Sequence, residues 1–206
     1  MRVSLCNEGI SFSGSITVLQ WGSFYNYANL SGDVTVLEWG HFWNKGPVGK
    51  ISGGTISGQV DNDGTITGGK FTGTVNNSIT GSITGGDFTG ATVNNDSDGL
   101  PGSSVTGGTF SGTVTNGEDG EISGGTFSNK TVVNNRGSIT DGDFRGATVN
   151  NDGTATVTGG TFDNFTMNSE TGELTITGNV DLSENPDALA PLTADHWAGS
   201  GQGDHR

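Results

Sequence analysis

The large apolar residues of this chain recur neither at every second position nor at every third or fourth. In residues 82–96, SITGGDFTGATVNND, they are Ile83, Phe88 and Val93, set five apart. That spacing fits neither an amphipathic helix nor one half-buried strand. It fits short strands that each bury one large side chain and are joined by corners. The arrangement returns along most of the chain. Segments opening on Ile16, Val34, Ile51, Ile66, Ile83, Val105, Ile122, Ile139, Val157 and Ile176 follow at spacings of 18, 17, 15, 17, 22, 17, 17, 18 and 19. Self-similarity at such a period marks a solenoid.

The aligned columns are chemically consistent. Five residues after each opening Ile or Val come Trp21, Trp39, Ile56, Phe71, Phe88, Phe110, Phe127, Phe144 and Phe162. Nine or ten residues after it come Val60, Val75, Val93, Val114, Val132, Val149 and Met167. Three inward columns predict a coil of three short strands around a triangular core. Thr or Ser follows every opening residue, from Thr17 to Thr177. Asn follows the third column at Asn76, Asn77, Asn94, Asn95, Asn134, Asn135, Asn150 and Asn151. Stacked Asn side chains bond to one another along a ladder, and Asn tolerates the left-handed backbone of corners. Glycine serves the corners for the same reason. Gly-Gly, Thr, Val and Asn disfavour a helix.

The GG-T-F-x-G and T-V-N-N motifs of residues 51–168 resemble the parallel β-helix, or β-solenoid, proteins of bacteria and their phages. The expected fold is all-β: a single parallel β-helix of about ten turns, about 17 residues each, three short strands per turn. Residues 1–50 read as aromatic-rich N-terminal capping turns, 51–182 as Gly/Thr/Asn-rich solenoid repeats, and 183–206 as a C-terminal cap or flexible tail. In the first two turns Trp21 and Trp39 are expected inward, and Tyr25 and Trp43 in the third column. Tyr27 and His41 are expected to be more exposed. With Trp43 they form a candidate aromatic contact patch. The favoured expectation for these aromatics is a bulky cap, because an open solenoid end is a sticky edge. The insertion NNDSDGLPGSS, after Val93, is expected to bulge as a loop.

Composition sharpens the picture where it departs from the ordinary. Only 30% of residues are hydrophobic, and 38 of the 206 are glycine, as one narrow core column per strand requires. The net charge of −14 is uneven. Residues 1–85 hold five acids and four bases, whereas residues 86–206 hold 17 acids and four bases. Like charge argues against direct binding to nucleic acid or to an anionic membrane. It favours a protein partner with a basic surface. Cys6 is the single cysteine, so no intramolecular disulfide forms. The N-terminus lacks the apolar core of a signal peptide. If Met1 is the native start, a cytoplasmic location in a bacterium or infected host is expected, and otherwise the cell surface.

Catalytic chemistry finds little support. Asp87 and Asp143 share a column but lie three turns apart, about 14 Å at sheet spacing. Paired carboxylates for glycoside hydrolysis need about 5–9.5 Å. The closer pairs Asp61/Asp63, Asp96/Asp98 and Asp141/Asp143 have few bases beside them. His41, His196 and His205 lack ligand spacing, and the calcium-binding nonapeptide pattern is not matched. No enzyme, cofactor or metal is expected. The expected function is a non-enzymatic interaction protein presenting an acidic face: Asp87, Asp96, Asp98, Asp119, Asp141, Asp143, Asp152 and Asp163. Such a face suits a nucleic-acid-mimicking inhibitor, for example a phage anti-defence protein of anti-CRISPR kind. The alternatives are a structural or surface module (adhesin stalk, tail-fibre segment, assembly subunit) and an ice-binding protein using the Thr/Ser column. Only one hydroxyl rank is evident for the last.

Overall fold

A computed structural model describes residues 4–167, except positions 10, 12, 31, 47, 97, 98, 100, 101, 129, 153 and 154, together with 175–176 and 180–181. The C-terminal segment 183–206 lies outside the described residues.

The described chain forms strands and no helix. A regular coil contains three: Ser82–Ile83, Asp87–Phe88 and Thr92–Asn95. Each pairs in parallel with its counterpart one coil on, as Ile83 does with Val105, Phe88 with Phe110 and Val93 with Val114. The result is a parallel β-solenoid of about eight turns of about 18 residues, close to the expected ten of about 17. In the later coils strands run together around corners, as in Ser138–Asn151.

Three buried columns form the core, one per face. The first runs from Leu30 through Ile51, Ile66, Ile83, Val105, Ile122 and Ile139 to Val157. The second runs Val18, Val36, Ile56, then Phe71, Phe88, Phe110, Phe127, Phe144 and Phe162. From Phe71 onward its rings stack with centroids 4.4–4.8 Å apart and planes within 11°. Sheet spacing sets that separation, because identical side chains on successive rungs repeat at about 4.8 Å. Gly108 shows why the corner before each Phe is glycine. Its φ is +110°, and an added Cβ would meet the rings of Phe88 and Phe110 at 3.2 and 3.3 Å.

An asparagine ladder runs beside the third column. Asn7, Asn26, Asn44, Asn62, Asn77, Asn95, Asn116 and Asn135 each donate Nδ2 to the Oδ1 of the next, at 2.6–3.1 Å, and Asn151 accepts from the last. From Asn26 onward these side chains are buried. The second N–H reaches a corner carbonyl, as Asn62 does at Gly64 and Asn116 at Gly120. A buried amide is tolerated only when so satisfied. The ladder is longer than the Asn-Asn pairs suggest, since Asn26, Asn44, Asn62 and Asn116 lack an Asn neighbour. In each pair the second Asn turns inward. Asn76, Asn94, Asn134 and Asn150 face out in a looser row.

Register corrects the sequence alignment in the first coils. Val18, not Trp21, pairs with Val36, which pairs with Ile56. Phe24 and Phe42, not Tyr25 and Trp43, continue into Val60 in the third column. The reason is corner length. Val18 to Phe24 and Val36 to Phe42 span six positions, against four from Ile56 to Val60. The two extra residues loop out and carry the tryptophans with them. Consequently Thr17 and Thr35 line up with Thr55 and leave the hydroxyl column of Thr67 and Thr84. Two later positions also move. Val133 is the buried residue and Val132 is exposed, while Phe165 rather than Met167 pairs with Val149. The strands that flank the inserted segment end at Asn95 and resume at Ser104, and Ser97, Asp98, Leu100 and Pro101 within it lie outside the described residues.

Candidate functional site

The acids expected on one face divide among three places. Asp87 and Asp143 project from the second face, in the row that also holds Lys70, Thr109, Thr126 and Thr161. Asp96, Asp119 and Asp152 occupy the corner after the third face, where Asp96 N bonds to Asn77 O and Asp152 N to Asn135 O. Asp141 is exposed between the first and second faces and accepts from Gly142 N. Asp98 and the side chain of Asp163 lie outside the described residues. Two of the acids are partnered by arginine. Arg145 holds Asp143 through Nε at 2.8 Å and a terminal nitrogen at 2.6 Å, and these bonds lower the Asp143 pKa from its usual value. Arg136 Nε lies 3.6 Å from Asp152 Oδ2. The solenoid thus brings Asp96, Asp119 and Asp152 to one corner and keeps Asp87 and Asp143 on another side.

The aromatic patch is more concentrated. On the third face His41 and Trp43 stack with centroids 3.5 Å apart, and Tyr25 stacks on Trp43 at 4.3 Å. Tyr27 sits at the adjoining corner, 43% exposed. Across the corner from His41, outside the second column, Trp21 and Trp39 stack on each other at 5.5 Å. Sequence alignment had placed this pair inside. Its signal was the six-position interval from Val18 to Phe24 and from Val36 to Phe42, with the W-G step inside it, whose extra length requires a bulge.

A polar hub adjoins these rings. Asp61 projects beside Trp43 on the third face. His41 Nε2 lies 2.6 Å from Asp61 Oδ2, and Asp61 Oδ1 accepts from Gln59 Nε2 at 3.0 Å and Asn76 Nδ2 at 2.7 Å. Burial pushes the Asp61 carboxyl up, but the bonds from His41, Asn76 and Gln59 outweigh it and hold the pKa at about 2. The carboxylate, an acceptor only, also orients the outer amide row. Asn76 must donate downward to it, which leaves Asn76 Oδ1 to accept from Asn94.

Other chemistry is dispersed. Thr67 and Thr84 turn their hydroxyls onto the carbonyls of Ile51 and Ile66 in the coil below. Among the described residues, no three His, Cys, Asp or Glu side chains gather as a metal site, and no helix is long and apolar enough to cross a membrane. Fold and surface together define a parallel β-solenoid repeat protein with aromatic first coils. No family model, curated protein or solved structure matches the chain.

Proposed function

We propose that the chain is a structural and interaction module: a stiff, acidic β-solenoid spacer that displays its surface to partners. One observation carries this reading. The buried Asn ladder and the three apolar columns run on from coil to coil, so the cohesive chemistry is internal and axial. The acids are spread over separate sides, a distribution that suits solubility and mutual repulsion of rods. A single acidic face for a basic partner draws its support from the net charge and from the corner of Asp96, Asp119 and Asp152.

Small-angle scattering tests the spacer. The stacked strands of the third face should give an axis of about 45 Å at sheet spacing, unchanged between low and high salt. Scattering from a compact sphere would exclude the spacer. Salt-sensitive capture of a basic protein, weakened by Asp119→Asn and Asp152→Asn, would favour the acidic-face function instead.

The third face supports a second reading, ice binding. Its outward residues form two ranks, with Thr74 and Asn76, Thr92 and Asn94, and Thr113 and Thr115 on three successive coils, then Val132 and Asn134, then Thr148 and Asn150. The spacing is about 6.7 Å along a strand and about 4.8 Å between strands, an array of hydroxyls and amides interrupted at Val132. Absence of thermal hysteresis would remove it.

A further inference from the structure

Trp39 contributes nothing to the core. It is 67% exposed, while Val36 and Phe42 on either side of it in sequence are buried. Its backbone φ is +63°, and Trp21 repeats this at +64°. A bulky residue held in the left-handed region is strained, and such strain gathers where a structure clamps a ligand. The hydrophobic effect would pull an indole inward. Here a two-residue corner insertion holds it out instead, with one ring face against Trp21 at an interplanar angle of 12°.

The other side of Trp39 borders an open groove of about 550 Å³ that runs up the solenoid. Its floor is bare backbone. A Cβ on Gly58 would strike Gly40 O at 2.3 Å, and one on Gly73 would strike Gly58 O at 2.0 Å, so no side chain can fill the floor. Glu38 lines the groove on the Trp39 side, and His41 and Gln59 line it from the third face. Asp61 fixes both of the latter, through His41 Nε2 and Gln59 Nε2. Gln59 Oε1 is therefore oriented as an acceptor, and Glu38 supplies a carboxylate. The groove combines a rigid aromatic face, a smooth floor without side-chain pockets, and preset hydrogen-bonding groups on its rim. A pyranose matches this chemistry, with an apolar ring face for the indole and hydroxyls for the rim. A peptide would find no pockets for its side chains. Glu38 and Asp61 make the site negative, so the matching sugar carries no acid.

We propose that this groove binds an uncharged oligosaccharide, with one pyranose ring stacked on Trp39 and its hydroxyls bonded by Glu38, His41 and Gln59. This is independent of the spacer function, which scattering tests separately.

Calorimetry and tryptophan fluorescence with soluble glucan, xylan, mannan and chitin oligosaccharides on the full chain provide the test. At least one should bind. Trp39→Ala should weaken that binding about tenfold or more and Gln59→Ala severalfold. Trp39→Tyr should retain most of it, and Asp141→Asn should leave it unchanged. Trp39 lies outside the core, so the circular dichroism of Trp39→Ala should match the parent. If it does not, Gln59→Ala and Trp39→Tyr carry the test. The proposal is overturned if none of the four sugars binds, if binding survives Trp39→Ala, or if acidic polygalacturonate binds as tightly as the neutral sugars. It is equally overturned if a proline-rich peptide, and no sugar, binds in a Trp39-dependent way.

Discussion

Asn95 donates to Asn116 and accepts from Asn77 in the middle of the buried ladder. Replacing it with alanine strands a donor on one side and an acceptor on the other. Each such buried group costs about 1–3 kcal/mol. Asn95→Ala should therefore lower the unfolding free energy in urea by about 2–4 kcal/mol, whereas Asn94→Ala, on the outer row, should cost under about 1 kcal/mol. Asp61 supports a prediction in pH. Its folded pKa of about 2 lies below its ordinary 3.8. A depressed carboxyl pKa adds stability that is present above the unfolded value and lost as pH falls through the folded one. Between about pH 4 and pH 2 the melting temperature of the parent should therefore fall further than that of Asp61→Asn. The difference should be small, because the pair with His41 is partly exposed to solvent.

At the scale of the strand, Val132 and Val133 are chemically identical neighbours with opposite fates. Val133 is fully buried and pairs with Val114, while Val132 is 36% exposed. Val133→Thr places a hydroxyl in an apolar column and should cost about 1–3 kcal/mol. Val132→Thr should change stability by less than about 0.5 kcal/mol. Equal effects would mean that the register is wrong by one residue. The strand spanning residues 132–135 shows how much of the fold was legible. The repeat of Val and Asn-Asn located the strand, but local pattern could not say which Val or which Asn faces in. A one-residue slip reverses every side chain of a strand. Only pairing with Val114 and Asn116 settles it.

For the whole molecule, each coil contacts chiefly its two neighbours, so stability is nearly a sum over coils and their interfaces. Removing residues 105–121, one full repeat from Val105 to just before Ile122, joins like to like in all three columns and in the Asn ladder. The shortened chain should fold, keep its β circular dichroism and melt somewhat lower. Removing half of that segment should abolish folding, because the inward columns then face out. Charge also acts at this scale. The excess of acids in residues 86–206 was plain in the sequence. Among the described residues, the separation of Asp87, Asp96, Asp119, Asp141, Asp143 and Asp152 onto two corners and one face follows from coil geometry alone.

The sequence by itself determined the period, the three-stranded coil, the Ile/Val and Phe columns and the use of glycine at corners. Each of these is a local demand, repeated until chance is excluded. The tertiary structure decided what depends on corner length. Two extra residues after Val18 and Val36 shift the register of the first coils and turn Trp21 and Trp39 outward. They also bring Trp39 beside the Gly58 and Gly73 floor and close to the Asp61 hub. Corners carry no periodic signal, because an added residue there is absorbed as a bulge. What a bulge faces is set by the neighbouring coils, through hydrogen bonds between residues 15 to 20 apart in the chain.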